Sequence, residues 1–467
     1  MGTFYKGEAK VRPGVYHRYE NAGSRSVAEA TNGIGAGIIK AQWGPLNQVI
    51  EVDNTTDAIA VFGSGATANL ISAMFDGGIA TGKFVRIGSG GNAPSITLKT
   101  EDDAEAVVIT GAYVGSRPLS VSVKETITGD GKEFIIYEGA TIVFQTKFGI
   151  DEDEVAGLIK AINETTKEFG AKISGEASGK IAIVTQEPMT GGTDPIVEMA
   201  DYSKGLSILE ATTFNCLAVD TEDVAVHALV NAFLIRTYTA GAYPMACVAE
   251  SKEVDLETRM KHAAAYNNEM MHMVLNPAHD VSGNVVDGYI LAARIAGMIA
   301  SVNSNASLTH QTISGYASLA EPLTNSQIEK ALKSGCIVLT ENSNHQIWIE
   351  QGINTLVTPN ADQDEGFKKI RRVKTRFELM QRIDHTLEVL VGKVNNDTDG
   401  RAALIASAQA VIDRMVSEKK LLPGGTFSED TTQTSAGDYA FFVISVDDID
   451  SIEKVYLDYK FRFSQTS

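Results

Sequence analysis

The residues whose types and spacing could support chemistry are few. Gly63–Ala68 reads Gly-Ser-Gly-Ala-Thr-Ala, the G-x-G-x-x-A pattern of a turn that holds a dinucleotide phosphate at a helix start. Such a site also needs an acidic residue about 20 positions later to bind the ribose, and Lys83–Ile87 contains none. A turn that simply begins a helix is the favoured interpretation. An α/β nucleotide-binding enzyme that uses Gly63–Ala68 stays open as an alternative.

No complete catalytic or metal-binding set accompanies this turn. The eight histidines form neither an H-E-x-x-H motif nor a Cys/His zinc spacing, and the G-x-x-x-x-G-K-[ST] and G-x-S-x-G patterns are absent. Cys216, Cys247 and Cys336 are too few for a disulfide scaffold, so we expect small buried side chains in a reducing compartment. The sequence predicts a protein that is not an enzyme and needs no cofactor or metal.

The overall charge argues against two classes of partner. The chain has 59 acidic and 40 basic side chains, a formal charge of −19. Coating of DNA or binding to an anionic membrane would require neutralisation of phosphate, which an acidic chain does not provide. The sequence also lacks a run of 18 apolar residues and a secretory leader pattern. We therefore expect no nucleic-acid partner and no membrane insertion by this chain.

The strongest local charge signal is the basic run Lys368–Arg376, in which six of nine residues are basic and none is acidic. A solvated basic face and a docking surface for an acidic partner both fit this run. Nucleic acid is disfavoured because the run lacks the interleaved aromatic residues that stack on bases.

The two ends of the chain differ in charge. Residues 1–25 have five basic and two acidic side chains, whereas residues 421–467 have eight acidic and three basic ones. The alternation in Ile452–Phe463 predicts a strand with one apolar face, formed by Val455, Leu457, Tyr459, Phe461 and Phe463. A short arm beside such a strand suggests strand addition between subunits. An arm folded onto its own chain is the alternative.

Hydrophobic periodicity predicts the elements that position these residues. It favours an α/β core, a mixed sheet flanked by helices, with a β-rich inserted domain, a C-terminal α+β domain and extended N- and C-terminal arms. The predicted segments are an arm at 1–25, a core at 26–92 and 206–350, an inserted domain at 93–205, a C-terminal domain at 351–450 and a terminal strand at 451–467.

Six individual elements are also predicted. They are helices at Asp151–Phe169, Leu256–Val274 and Thr375–Val391, and strands at Ser95–Lys99, Ile181–Thr185 and Phe367–Arg372.

Several motifs, in order along the chain, resemble contractile phage tail sheath proteins. They are Arg-Pro-Gly-Val-Tyr at Arg12–Tyr16, Gly33–Gly37 followed by Trp43-Gly44-Pro45, Ala292–Val302, Gly392–Asn396 with Gly400-Arg401, and the closing strand Ile452–Phe463. The resemblance is greatest to the sheaths of prophage and phage-tail-like bacteriocin particles, and residues 95–204 have no part in it.

This resemblance implies a structural subunit. Such subunits polymerise as stacked hexameric rings around an inner tube and contract to drive the tube through a cell envelope. The implied partners are other copies of the chain, the inner tail tube protein, and baseplate and tail terminator proteins. Assembly would occur in the bacterial host cytoplasm, followed by a place in the virion tail or in a released phage-tail-like particle. A non-contractile structural tube or shell protein is the alternative.

The resemblance also implies roles for two sets of residues. The strands exchanged between subunits would include Val11, Arg12, Pro13, Gly14, Val15, Tyr16, Val455, Leu457, Tyr459, Phe461 and Phe463. Docking to the inner tube would use Lys368, Lys369, Arg371, Arg372, Lys374, Arg376 and Arg382.

Overall fold

A computed structural model describes residues 2–3, 16–17, 32–149 and 153–462. The chain divides into two compact units. The larger unit comprises Thr31–Phe377 and Asp448–Ser467, and the smaller unit comprises Met1–Ala30 and Glu378–Asp447. Both helices and sheets occur, which confirms the predicted mixed α/β class.

The described residues form ten α-helices and a set of mostly short strands. The helices are α1 (Thr55–Phe62), α2 (Ala66–Asp76), α3 (Glu154–Thr165), α4 (Met199–Leu209), α5 (Val224–Thr239), α6 (Leu256–Tyr266), α7 (Gly288–Ser301), α8 (Asn325–Lys333), α9 (Ile370–Glu388) and α10 (Thr398–Ser417). The strands are β1 (Gly2–Thr3), β2 (Tyr16–His17), β3 (Ile34–Ile39), β4 (Val49–Val52), β5 (Thr81–Arg86), β6 (Ser95–Lys99), β7 (Glu105–Gly111), β8 (Leu119–Glu125), β9 (Gly131–Glu138), β10 (Thr141–Gly149), β11 (Phe169–Ile173), β12 (Val184–Pro188), β13 (Cys216–Val219), β14 (Met245–Ala249), β15 (Met271–Val274), β16 (Ala278–Asp280), β17 (Tyr316–Leu319), β18 (Leu339–Glu341), β19 (Ile347–Ile349), β20 (Thr426–Glu429) and β21 (Phe442–Ser445).

A six-stranded sheet with the order β15-β14-β13-β3-β5-β4 is the centre of the larger unit. Its pairs are parallel except for β4 with β5. The inner strands β13 and β14 are buried along their whole length, as expected for a parallel sheet covered on both faces.

Helix α7 packs on this sheet and against α2. The two helices approach closely at Gly77 and Gly297, where a methyl group on Gly297 would lie 2.3 Å from the carbonyl oxygen of Met74. Only glycine fits such a contact, so the small residues of α7 are a packing requirement.

Residues 95–188 form two further sheets of the larger unit, with the orders β10-β9-β8-β12 and β11-β7-β6. Together with α3 they enclose a hydrophobic core that also contains Trp43, which lies just after β3. Asn92 and Thr193 pair as an isolated antiparallel bridge, so the two ends of this segment lie side by side.

The smaller unit has its own core between α9, α10 and the two-stranded sheet β20-β21. That core consists of Leu379, Ile383, Ala408, Val411, Ile412, Met415, Leu421 and Phe427.

Several predicted elements were wrong or misplaced. The predicted helix at Leu256–Val274 ends at Tyr266, because Asn267 takes a left-handed conformation (φ 41°) and ends it. The chain then returns to the central sheet as β15, which is buried throughout. The predicted helix at Asp151–Phe169 ends at Thr165, and Phe169 begins a strand. The predicted strand Ile181–Thr185 lies three residues later, as β12.

The basic run was also misassigned. The predicted strand Phe367–Arg372 is a 3₁₀ turn, Glu365–Lys368, followed by α9. The apolar residues Ile370, Val373 and Phe377 have helical spacing and are buried. The basic residues between them obscure that period in the sequence.

Candidate assembly surfaces

The C-terminal segment, residues 454–462, exposes a stripe of apolar side chains. Val455, Leu457, Tyr459 and Phe461 are each between 69% and 79% exposed. The predicted strand is not formed here, since residues 452–462 have no regular secondary structure in the single chain. A strand requires a partner for its backbone groups, and no other described segment of the larger unit pairs with these residues.

Just before this segment, three carboxylates fasten the chain to the basic run. We call Asp448–Glu453 the C-terminal anchor. Arg372 binds Asp448 through two parallel hydrogen bonds, from Nε at 2.6 Å and Nη2 at 2.7 Å. Lys369 pairs with Asp450 at 2.6 Å and with Glu453 at 3.3 Å. Opposite charges at the predicted docking surface thus meet within one chain.

Glu453 is the most enclosed carboxylate of the anchor. It accepts hydrogen bonds from Thr309 Oγ1 at 3.0 Å, Ser307 Oγ at 3.2 Å and Gln351 Nε2 at 3.1 Å. Burial pushes the pKa of Glu453 upward, but the Gln351 hydrogen bond and the Lys369 charge outweigh burial, so the pKa lies below its usual value. The anchor therefore holds best when its carboxylates are ionised.

The other members of the basic run in the larger unit also have partners or are buried. Lys368 pairs with Glu365 at 2.8 Å, and Lys374 donates to the carbonyl oxygens of Ile299 and Val302. Arg371 is only 8% exposed, and its Nε has no hydrogen-bond partner among the described residues.

Arg376 likewise binds within its own chain. It pairs with Glu269 and lies over the ring of Phe367, with its Cζ 4.1 Å from the ring centroid. The run is therefore a partly covered surface, and its docking to an inner tube stays a prediction.

Arg382 lies in the smaller unit, inside a charge network around Glu418. It binds both carboxylate oxygens of Glu418, at 3.0 and 2.9 Å, and also pairs with Glu378. Burial raises the pKa of Glu418, but hydrogen bonds from Arg382, Lys420 and Arg414 reverse that effect and lower it to about 2. This network secures α9 to the end of α10.

The sheet β20-β21 provides a place where a strand could be added. Each of its strands pairs only with the other, so each has an unpaired edge among the described residues. Val443 and Ile444 of β21 are 44% and 41% exposed, and the nearby Leu422 is 46% exposed. The smaller unit thus combines open hydrogen-bonding edges with an apolar surface.

The N-terminal residues predicted for strand exchange lie mostly outside the described part of the chain. Val11–Val15 and Phe463 are not described. The backbone of Tyr16 lies in β2, which pairs in parallel with β1 through Gly2 and Tyr16.

The glycine-rich turn Gly63–Ala68 begins α2, as the favoured interpretation predicted. Its donors are already bound to a carboxylate of the chain: Glu138 accepts from the Ser64 backbone N–H at 2.8 Å and from Ser64 Oγ at 2.6 Å. Arg117 completes the contact with an ion pair to Glu138 at 3.0 Å. This contact joins the inserted strands to the turn that begins α2, and it occupies both donors of Ser64.

Among the described residues, no group of three or more His, Cys, Asp or Glu side chains has the geometry to hold a metal ion. No helix in the described ranges has both the length and the apolar character needed to cross a bilayer.

Sequence reasoning found the apolar stripe and the basic run but missed the anchor that connects them. Arg372 and Asp448 are 76 positions apart, and charge patterning detects only neighbours along a helix or strand. The one sequence signal that could have indicated the anchor is the opposite charge of residues 421–467 and the basic run.

Comparison with known proteins agrees with these observations. Residues 197–355 match the phage tail sheath protein central domain family. The uncharacterized protein YqbK of Bacillus subtilis (strain 168) is 22% identical over 404 residues, covering 84% of this chain and 82% of that protein.

Two solved structures share the fold. The sheath tail protein of Desulfitobacterium hafniense has a TM-score of 0.72 at 19% identity and covers 93% of this chain and 100% of that one. The helical sheath of the anti-feeding prophage in its contracted state has a TM-score of 0.54 at 10% identity, over 97% and 99% of the two chains. The predicted resemblance to phage tail sheath proteins is confirmed.

Proposed function

We propose that this protein, which is similar to phage tail sheath proteins over most of its length, is a structural subunit of a contractile tail sheath. It polymerises as stacked hexameric rings around an inner tube and contracts to drive that tube through a cell envelope. The observation that carries the proposal is the C-terminal segment, which is fixed at its base and leaves a row of large apolar side chains uncovered by any described part of the chain. Leu457, Tyr459 and Phe461 are large apolar side chains at every second position, and all three are exposed. Such an exposed apolar row is typical of a surface that binds a partner.

The missing partner is a strand of a neighbouring copy. Strand addition would satisfy the backbone groups of residues 454–462, and it would bury side chains worth about 1.5–3 kcal/mol each when fully covered. The unpaired edges of β20-β21, with the exposed Val443 and Ile444, suit this role. Residues 11–16 are proposed as the second exchanged strand.

Contact with the inner tube is proposed for the outward parts of the basic run and for Arg382. The Lys368, Arg372 and Arg376 side chains keep between 25% and 29% of their surface exposed while paired. Partly screened ion pairs of about 0–1 kcal/mol each give a grip that can be released during contraction. Tube binding should therefore weaken as salt rises.

The wider setting follows from the same proposal. The subunits would assemble in the bacterial host cytoplasm, with baseplate and tail terminator proteins at the two ends of the sheath. The inserted segment 93–205 would lie on the outer surface.

Removal of residues 454–467 tests the proposal most directly. The truncated chain should stay folded and monomeric, since the described part of the removed segment, residues 454–462, is exposed, and it should form no sleeves in negative-stain micrographs. Leu457→Asp should have the same effect at a single position of the apolar stripe. Asp458→Asn, which changes the polar side of the segment, is the matched control and should assemble. Normal sleeves from the truncated chain would contradict strand exchange.

A further inference from the structure

We infer that the cavity around Arg294 is a binding site for a carboxylate group, supplied by an acidic side chain on a second copy of this chain. The cavity has a volume of about 370 Å³ and lies between α2, α7 and the turn at Ser314–Tyr316. The inference of a carboxylate site rests on the structure of a single chain. The inference that a second copy supplies the carboxylate rests on the proposed function.

Arg294 is the one charged residue of α7, and it is only 7% exposed. A guanidinium group has five N–H donors, and burying it without acceptors is costly. Among the described residues, the group makes one hydrogen bond, from Nη2 to Ser314 Oγ at 3.1 Å. Its Nε has no partner, and no described carboxylate forms an ion pair with it.

Three other buried arginines of the larger unit show how this chain can satisfy such a group, whereas Arg371 shares with Arg294 an Nε that has no partner among the described residues. Arg86 donates to three backbone carbonyl oxygens. Arg117 pairs with Glu138 at 3.0 Å, and Arg259 pairs with Glu321 at 2.6 Å. Whereas each of these three arginines has acceptors within the chain, the guanidinium of Arg294 faces a cavity. The acceptor that it lacks would therefore come from outside the chain. A carboxylate matches the planar, forked geometry of the guanidinium.

The mouth of the cavity restricts what can enter. Asp76, Asp280 and Asp287 also line it, and Asp280 is already bound by the backbone N–H groups of Ser282 and Asn284. These outer carboxylates repel a free anion, but they attract a basic residue that accompanies an incoming acid. The occupant is therefore a peptide segment with acidic and basic side chains close together, rather than an inorganic anion.

The surface of this chain has segments of that kind. Lys252 and Glu253 are adjacent, with side chains 46% and 81% exposed. Since copies of the chain touch one another in a sheath, such a segment of a second copy is the occupant we assign.

The first test compares two substitutions in the isolated chain. Arg294→Met should raise the melting temperature, because it removes a buried charge that lacks an acceptor and keeps the side-chain volume. Arg259→Met is the matched control and should lower the melting temperature, because it leaves Glu321 and two carbonyl oxygens without a donor. A fall for Arg294→Met as large as for Arg259→Met would overturn the site.

The second test probes the ligand class in solution. A blocked Ser-Lys-Glu-Val peptide, which copies residues 251–254, should raise the melting temperature of the wild-type chain and should have no such effect on Arg294→Met. The same rise with a Ser-Lys-Gln-Val peptide would overturn the assignment to a carboxylate, as would the lack of any effect of the first peptide.

The third test identifies the source. Arg294→Met subunits should give fewer or shorter sleeves than wild type, despite their higher melting temperature. Normal sleeves would overturn the second copy as the source of the carboxylate. Failure of the wild-type chain to polymerise under any condition would overturn the proposed function and the second copy together, while the peptide result would still stand.

Discussion

Arg372 fixes the start of the C-terminal segment through its forked contact with Asp448. Both side chains are partly buried, at 29% and 20% exposure, so solvent screens the pair less than a pair on the open surface. The pKa of Arg372 is raised, chiefly by its hydrogen bonds with Asp448. Arg372 thus secures the start of the anchor, while Lys369 secures its middle and end through Asp450 and Glu453.

Arg372→Met should loosen the start of the anchor at Asp448 without unfolding the chain. We expect a loss of about 1 kcal/mol in the free energy of unfolding and faster amide hydrogen exchange in residues 448–453. Lys99→Met removes the open pair between Lys99 and Asp103, whose side chains are 50% and 84% exposed, and should change neither quantity. Unchanged exchange in Arg372→Met would show that the anchor does not depend on this ion pair.

Two buried histidines predict how stability depends on pH. Burial lowers the pKa values of His227 and His272 from 6.5 to about 4. The stability that the two neutral histidines contribute is complete above pH 6.5 and is lost as the pH falls towards 4. The reason is that the histidines of the unfolded chain bind protons at a higher pH than those of the folded chain. We expect a loss of up to about 2 kcal/mol per histidine, measured by urea unfolding at pH 7 and pH 4.5. His345→Gln, at an exposed site, should leave this dependence unchanged, and equal stability at both pH values would refute it.

Elements whose residue pattern and flanking turns are both local in the sequence could be predicted. Strand β6 has the predicted bounds Ser95–Lys99, because its alternation and its flanking turns are local signals. The start of α9 was missed because basic residues separate its buried apolar positions. Strand β15 was missed because it is four residues long and follows a helix of similar composition. The anchor could not be predicted, since its ion pairs depend on how distant parts of the chain meet.

The exposed edge of β21 leads to a prediction about that element. Ile444→Lys should block sleeve formation, because it places a charge where an incoming apolar strand would pack. The isolated chain should lose less than about 0.5 kcal/mol of stability, as is usual for an exposed position. Val281→Lys changes an aliphatic side chain that is 79% exposed in the larger unit, and it should assemble normally. Equal assembly of both variants in negative-stain micrographs would exclude β21 as the acceptor.

For the molecule as a whole, the inserted segment is joined to the central sheet by a few specific contacts. Trp43 packs against Tyr113 and Phe169 of that segment, with ring centroids 5.4 and 5.7 Å apart. The paired Asn92 and Thr193 would allow a short turn to replace everything between them.

Deletion of residues 93–192 should therefore leave a folded remainder that aggregates, because it exposes Trp43. The same deletion combined with Trp43→Ser should be soluble and monomeric by size-exclusion chromatography. Trp348→Ser in the deleted chain is the control and should not restore solubility. Aggregation of all three chains would show that the central sheet cannot fold without the inserted segment.

The anchor at Glu453 also sets a length. Phe461, the last described residue of the apolar stripe, follows Glu453 by eight residues, which span roughly 26 Å when fully extended at about 3.3 Å per residue. Under the proposed strand exchange, the acceptor sheet of another copy would have to lie within that distance of Glu453. The spacing between connected subunits would thus be bounded by the number of residues between the anchor and the stripe, and adding or removing residues there would lengthen or shorten the permitted step.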